Sequence, residues 1–156
     1  MNQDLHSPHS IDGNLSQLKD SELHILLRNR VPDERKLTHQ ILLLIAEVDS
    51  RKLYLPMAYP SLFEYLVHGI GYTPASAQRR IDAARLMKQV AGLGDRIESG
   101  SIKLTQVSQV QQVLRLVEKR DKTQILPSEK KELLQKLENK TGPESELILA
   151  QEFNIL

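Results

Sequence analysis

Between Lys103 and Arg120 the apolar residues Leu104, Val107, Val110, Leu114 and Val117 recur at intervals of three and four. A strand would scatter them over both faces, whereas an α-helix gathers them on one. The same interval returns at Leu23, Leu26 and Leu27, and again at Leu37, Ile41, Leu44, Ile45 and Val48. No segment alternates apolar and polar residues in the manner of a strand. The chain therefore has to bury its apolar surface with helices alone, which points to an all-α class. The scarcity of aromatics, the absence of tryptophan and the abundance of Leu, Gln, Glu, Lys and Arg agree.

Turn and capping residues divide this pattern into elements. Residues 1–15 hold Pro8 and Gly13 among polar residues without a period, and predict a disordered tail. A helix starts near Ser21 and is expected to end at Pro32, because proline disfavours helix in the residue before it. Asp33 opens a second helix to about Leu53, apolar nearly all round and so expected at the centre of the fold. Ser61 caps a helix to about His68. Gly69–Thr73 form a turn, and Thr73 with Pro74 starts a helix to about Val90. Asp95–Glu98, Lys103–Arg120, Pro127–Asn139 and Glu144–Phe153 follow. The expectation is a compact bundle of about seven or eight helices, forming a single domain over residues 16–156, with a helix-turn-helix-like pair at 61–90.

Size and charge restrict the function classes. The chain has 156 residues, enough to bury a core without metals or disulfides. It has no cysteine, which removes thiolate metal sites and fits a reducing compartment. With 21 basic and 20 acidic residues, no whole-molecule field draws it to nucleic acid or membrane, so any basic surface is local. The longest strongly apolar run, Ile41–Ala46, falls far short of the roughly 20 residues a membrane helix needs. The polar N-terminus carries no signal pattern, and the expected location is cytoplasmic.

No catalytic or metal-binding constellation emerges. The five histidines, His6, His9, His24, His39 and His68, lack the spacing of a shared metal, and the nearness of His39 to Asp33 and Glu34, which allows a local pair, reads as ordinary helix-surface polarity. The glycines at 92 and 94 lack the Lys-Ser/Thr that a phosphate loop requires. The mixed clusters Glu118–Lys122 and Glu129–Glu132 read as solvated helix surface. No cofactor and no small-molecule substrate are expected.

The helix from Pro74 is the one candidate reader of DNA. In a helix-turn-helix unit the second helix enters the major groove. This one offers Gln78, Arg79, Arg80, Arg85 and Lys88, of residue types that pair with base edges and phosphates. Helical geometry tempers the idea. Ala77, Ile81, Ala84 and Met87 define a buried side, which Arg80 and Lys88 flank, while Gln78, Arg79, Asp82 and Arg85 share the outer face. Asp82 would then repel phosphate from between the arginines.

The same block bears a resemblance. Leu53-Tyr54-Leu55, Tyr59, Ser61-Leu62-Phe63-Glu64-Tyr65, Gly71-Tyr72-Thr73, Ala77, Arg79-Arg80-Ile81 and Ala83-Ala84-Arg85 resemble the N-terminal helical region of bacterial HNH endonucleases. Those proteins carry LYLxxGYxSLFxY, a turn, and AxRRIxAAR. The likeness reaches upstream through Glu34-Arg35 and Ala46–Asp49 and downstream through Ile97–Gly100 and, more loosely, Lys140-Thr141 and the last helix, so that it covers about Asp20 to Phe153. Ala58 stands where the pattern has glycine, and Pro60 follows Tyr59. The family's nuclease is a separate C-terminal module with histidines and an asparagine, and here no histidine follows His68. The resemblance implies a non-catalytic, DNA-associated helical domain, a stand-alone or truncated nuclease relative. On that reading Arg79, Arg80, Arg85 and Lys88 meet phosphates and Gln78 lies near base edges. The alternative is a protein-interaction or oligomerisation module with no direct DNA contact.

Overall fold

In a computed structural model of the chain, residues 14–155 are described. Every regular element among them is helical, with no strand. After a single 3-10 turn at Leu15–Gln17 come α1 (Asp20–Arg51), α2 (Leu62–Glu64) running on into a π-helical segment (Tyr65–Ile70), and α3 (Pro74–Gln89). Then follow α4 (Leu93–Ser99), α5 (Leu104–Asp121), α6 (Pro127–Leu137) and α7 (Gly142–Phe153). The tail expected over residues 1–15 lies outside the described residues except for Asn14 and Leu15, and His6 and His9 lie outside them too.

The first correction is at Pro32. The two helices expected on either side of it are one continuous helix of 32 residues. Proline removes one i→i−4 bond, here to the carbonyl of Arg28, at a cost near 3 kcal/mol in a helix interior. Arg28 and Pro32 are both exposed. Water can serve that carbonyl, and the strong helix formers on both sides carry the helix through.

The second correction concerns the centre of the bundle. Leu37, Leu43 and Leu44 of α1 are exposed, and only Leu42 and Ile45 of that helix are buried. The central helix is α3, which buries Ala77, Ile81, Asp82, Ala83, Ala84 and Leu86. It packs on α1 along one side and α5 along the other, with α2 and α4 at its ends. Small residues allow this: Ala77, Ala83 and Ala84 let neighbouring backbones approach from several directions at once. One core joins Ala83 and Leu86 to Leu42, Leu93, Val107, Leu114 and Leu134, and a second joins Ala77, Ile81 and Ala84 to Ile45, Tyr54, Leu62 and Leu66.

Local chemistry sets the helix ends. Ser61 Oγ accepts from the Glu64 N–H at 3.1 Å, and Thr73 Oγ1 from the Ser76 N–H at 3.3 Å, each covering a donor that a helix start leaves orphaned. The π-helical segment carries the second element two residues past the expected end at His68. Gly71 closes it at φ +100°, donating its N–H to the Leu66 carbonyl. The turn into α3 is thus Gly71-Tyr72-Thr73.

Candidate nucleic-acid interface

The five residues expected to meet DNA all lie on α3, and the structure gives four of them intramolecular partners. Gln78 Nε2 donates to Asp82 Oδ1 at 3.0 Å. Arg80 Nη1 turns back along its own helix, donating to the Ser76 carbonyl at 3.1 Å and to Ser76 Oγ at 2.9 Å. Its guanidinium sits 4.4 Å from the ring centroid of Tyr72, a cation–π contact. Arg85 reaches across to α1 and grips Asp49 with Nε and Nη2, at 3.1 and 3.3 Å. The Asp49 hydrogen bond holds the Arg85 guanidinium above its ordinary value, with partial burial pulling the other way. Lys88 Nζ donates to Ser50 Oγ on α1. Arg79 is half-buried and has no hydrogen bond or ion pair among the described residues.

The surroundings of α3 bear on how such a helix could meet a duplex. A recognition helix presents one full face to the major groove. Here α1 and α5 flank the helix, with Arg85 and Lys88 exposed along it and Arg79 half-buried about 120° and 180° round the helix from them, so the three do not share one face.

Asp82 overturns the expected wheel. Placed by the sequence on the outer face between the arginines, it is 1% exposed. Ser108 Oγ of α5 donates to its Oδ2 at 3.0 Å, and Arg115 Nη1 and Gln78 Nε2 donate to its Oδ1 at 3.2 and 3.0 Å. It joins α3 to α5 and is not available to repel phosphate. The wheel failed because it assumed one buried face, whereas α3 is covered on two.

Three further side chains depart from expectation. Gln106, a polar residue off the apolar stripe of Lys103–Arg120, is buried. Its Oε1 accepts from the Lys103 N–H at 2.8 Å, and its Nε2 faces the carbonyls of Leu137 and Lys140, both at 2.9 Å, and Ser145 Oγ at 3.0 Å. It fastens α5 to the ends of α6 and α7. Lys130, read as solvated surface, is buried with Nζ donating to Gln89 Oε1 at 2.6 Å. His39 does not pair with Asp33 or Glu34; its Nδ1 lies 2.6 Å from Glu98 Oε2 on α4. That ring packs directly on Gly94, where any Cβ would overlap His39 Nε2.

Among the described residues, no group of three or more His, Cys, Asp or Glu is placed to hold a metal ion, and no helix is long and apolar enough to cross a membrane. The conspicuous exposed apolar surface among the described residues is on α1. Arg35 meets the bundle by donating from Nη1 to the Ser99 carbonyl at 3.4 Å. Ahead of it no residue of α1 is buried. Leu23 is 46%, Leu27 66% and Leu37 57% exposed. A cavity of about 680 Å³ lies beside this stretch, lined by Leu18, Glu22, Ile25, Leu26 and Asn29 among others. Comparison with known protein families, with curated proteins and with solved structures finds no match to this chain.

Proposed function

We propose that the chain is a non-catalytic helical interaction module whose first helix holds a protein partner. The observation that supports it is the leading half of α1, which leaves the bundle with leucines facing water. Contiguous exposed apolar surface of this kind marks interaction sites, because burying it is favourable by about 25 cal/mol per Å². The bundle behind α1 is closed by two cores and by side-chain networks at Asp82 and Gln106, so it can serve as a rigid base. A photo-crosslinking residue in place of Leu37 tests this in cells, with one in place of the exposed Lys131 as control. Adducts at position 37 and none at 131 are expected. No adduct at 37, or equal adducts at both, would overturn the reading.

A second reading is the DNA-associated domain that the resemblance implies. It is favoured by Arg79, whose guanidinium has no hydrogen bond to give up; Arg85 and Lys88 lie about 120° and 180° round the helix from it. Gln78, Arg80, Arg85 and Lys88 would have to exchange their present partners for phosphate. Gel-shift titration against salt tests it, since phosphate contacts give a steep salt dependence. Wild type without binding at low salt sinks this reading, and unchanged binding by Arg79→Ala with Arg85→Ala removes the assigned surface.

A further inference from the structure

The exposed stripe of α1 has a regular internal order. Leu23, Leu27, Arg30, Glu34, Leu37 and Ile41 follow one another at intervals of four, three, four, three and four. This is the spacing of a coiled-coil seam, two positions in every seven. At 100° per residue the stripe lies about a quarter-turn from Leu42 and nearer to Ile45, the two buried residues of α1, so that its last position, Ile41, also packs against the second core. Leu23, Leu27, Glu34 and Leu37 are exposed, and Arg30 and Ile41 are part-buried. Arg30 already has partners within the chain, Asp33 at 3.9 Å from its Nη1 among them, and pairing across a seam would share or exchange these contacts.

The order of residues in the stripe is self-complementary in one orientation only. Two copies of α1 laid antiparallel about a two-fold axis at the level of residue 32 place Leu23 opposite the second copy's Ile41 and Leu27 opposite its Leu37. Arg30 of each copy then faces Glu34 of the other. The six layers read apolar, apolar, ionic, ionic, apolar, apolar. A parallel pair would set arginine against arginine in one layer and glutamate against glutamate in the next. Pro32 does not obstruct the pairing. Two residues from Arg30 and two from Glu34, it lies about 160° round the helix from each, on the far side.

We infer that the partner of this surface is a second copy of the chain, and that α1 forms an antiparallel two-helix seam across a two-fold axis near residue 32. The inference rests on the interaction reading above and names its partner. Isologous pairing follows from the symmetry of the stripe: each contact is made twice. The leucine and isoleucine layers supply the attraction. The paired ions supply little net stability, but they set orientation and register, a well-attested use of polar groups in such seams.

Sedimentation equilibrium of the purified full chain across the micromolar range tests the inference. Wild type is expected to dimerise. Arg30→Glu puts glutamate opposite Glu34 twice per dimer, and Glu34→Arg does the same with arginine. Each single change is expected to weaken dimerisation on the order of 100-fold, since opposed like charges cost several kcal/mol. The double variant Arg30→Glu with Glu34→Arg restores opposite charges in both layers and is expected to recover the dimer. Neither residue is buried, and far-UV circular dichroism verifies that each variant is folded. A monomeric wild type overturns the inference, as does a dimer indifferent to the single reversals. Loss of dimer without rescue by the double variant overturns the antiparallel register. If the purified chain is monomeric while position 37 still crosslinks to a different protein in cells, the second copy is wrong and the interaction reading survives.

Discussion

Replacing Asp82 by alanine separates the observed packing from the outer-face position that a single-faced helical wheel assigns. An exposed aspartate would cost within about 0.5 kcal/mol to remove. The structure demands more. Its carboxylate accepts from Ser108, Arg115 and Gln78 and is 1% exposed. The three donors do not suffer equally. Arg115 is 54% exposed and Gln78 is half-buried, so both can turn to water. Ser108 is buried and stays dry, and an unsatisfied buried polar group costs about 1–3 kcal/mol. The methyl group also leaves a small void between α3 and α5. The sum is roughly 2–3 kcal/mol for Asp82→Ala, or a fall in Tm of about 4–12 °C for a chain of this size. Asp82→Asn keeps the shape, and its amide can donate to the Ser108 hydroxyl while its oxygen accepts from Arg115, so about 1 kcal/mol is expected. Urea titration followed by circular dichroism measures both. A cycle with Ser108→Ala should return a coupling near 1 kcal/mol. Alanine and asparagine variants both within 0.5 kcal/mol of wild type, with no coupling, would refute the buried bridge.

Other perturbations address single features of the bundle. Ala58 holds φ +66°, a left-handed conformation that costs an L-residue roughly 1–2 kcal/mol, partly offset in glycine by lost chain entropy; Ala58→Gly is expected to raise stability by about 0.5–1 kcal/mol, and a lowered Tm would count against it. Gly94→Ala drives a methyl into His39 and off its bond with Glu98, with an expected loss of about 1–3 kcal/mol that a second change, His39→Ala, should partly relieve; an additive double variant would show that the two do not collide. Glu144 accepts from the Thr141 N–H at 2.7 Å, which holds its carboxyl below the ordinary 4.5. The contribution of this cap is fully present above that value and is lost as pH falls through the lowered one. Glu144→Gln should therefore flatten the acid limb of the stability profile, and an unchanged limb would show that the cap is not coupled to folding.

The sequence told helix from strand at every described element, and it told the main capping residues, because period and capping are local. Ser61 and Thr73 each accept from an N–H three residues on, so no tertiary knowledge is needed to place them. What it could not tell was which apolar face meets protein and which meets water. The stripe Leu37, Ile41, Leu44 looks as core-like as Val107, Val110, Leu114, yet Leu37 and Leu44 are exposed and the α5 residues are buried. Periodicity reports only that a face is apolar. Asp82 and Gln106 were missed for the opposite reason. Each is a polar residue satisfied by groups far along the chain, Ser108 and Arg115 for the one and Leu137, Lys140 and Ser145 for the other. A signal was present for Asp82: it lies among Ile81, Ala83 and Ala84, a run too apolar for one buried face.

This bears on how the RRIxAAR block should be read. Arg80 is spent on Ser76 and Tyr72, and Arg85 on Asp49, while the alanines between them are the points where α1 and α5 press against α3. The Asp49 that answers Arg85 belongs to the upstream stretch Ala46–Asp49 that shares the resemblance, so two distant parts of the pattern form one contact. Ala58, where the pattern has glycine, sits at positive φ, the place where glycine is cheapest. These features specify how helices pack, and they would be needed in any protein built on this bundle whatever it binds. A chain can therefore keep the whole block and differ in activity, because partner choice would lie on the exposed stripe of α1, where Arg30 and Glu34 can be exchanged without disturbing either core.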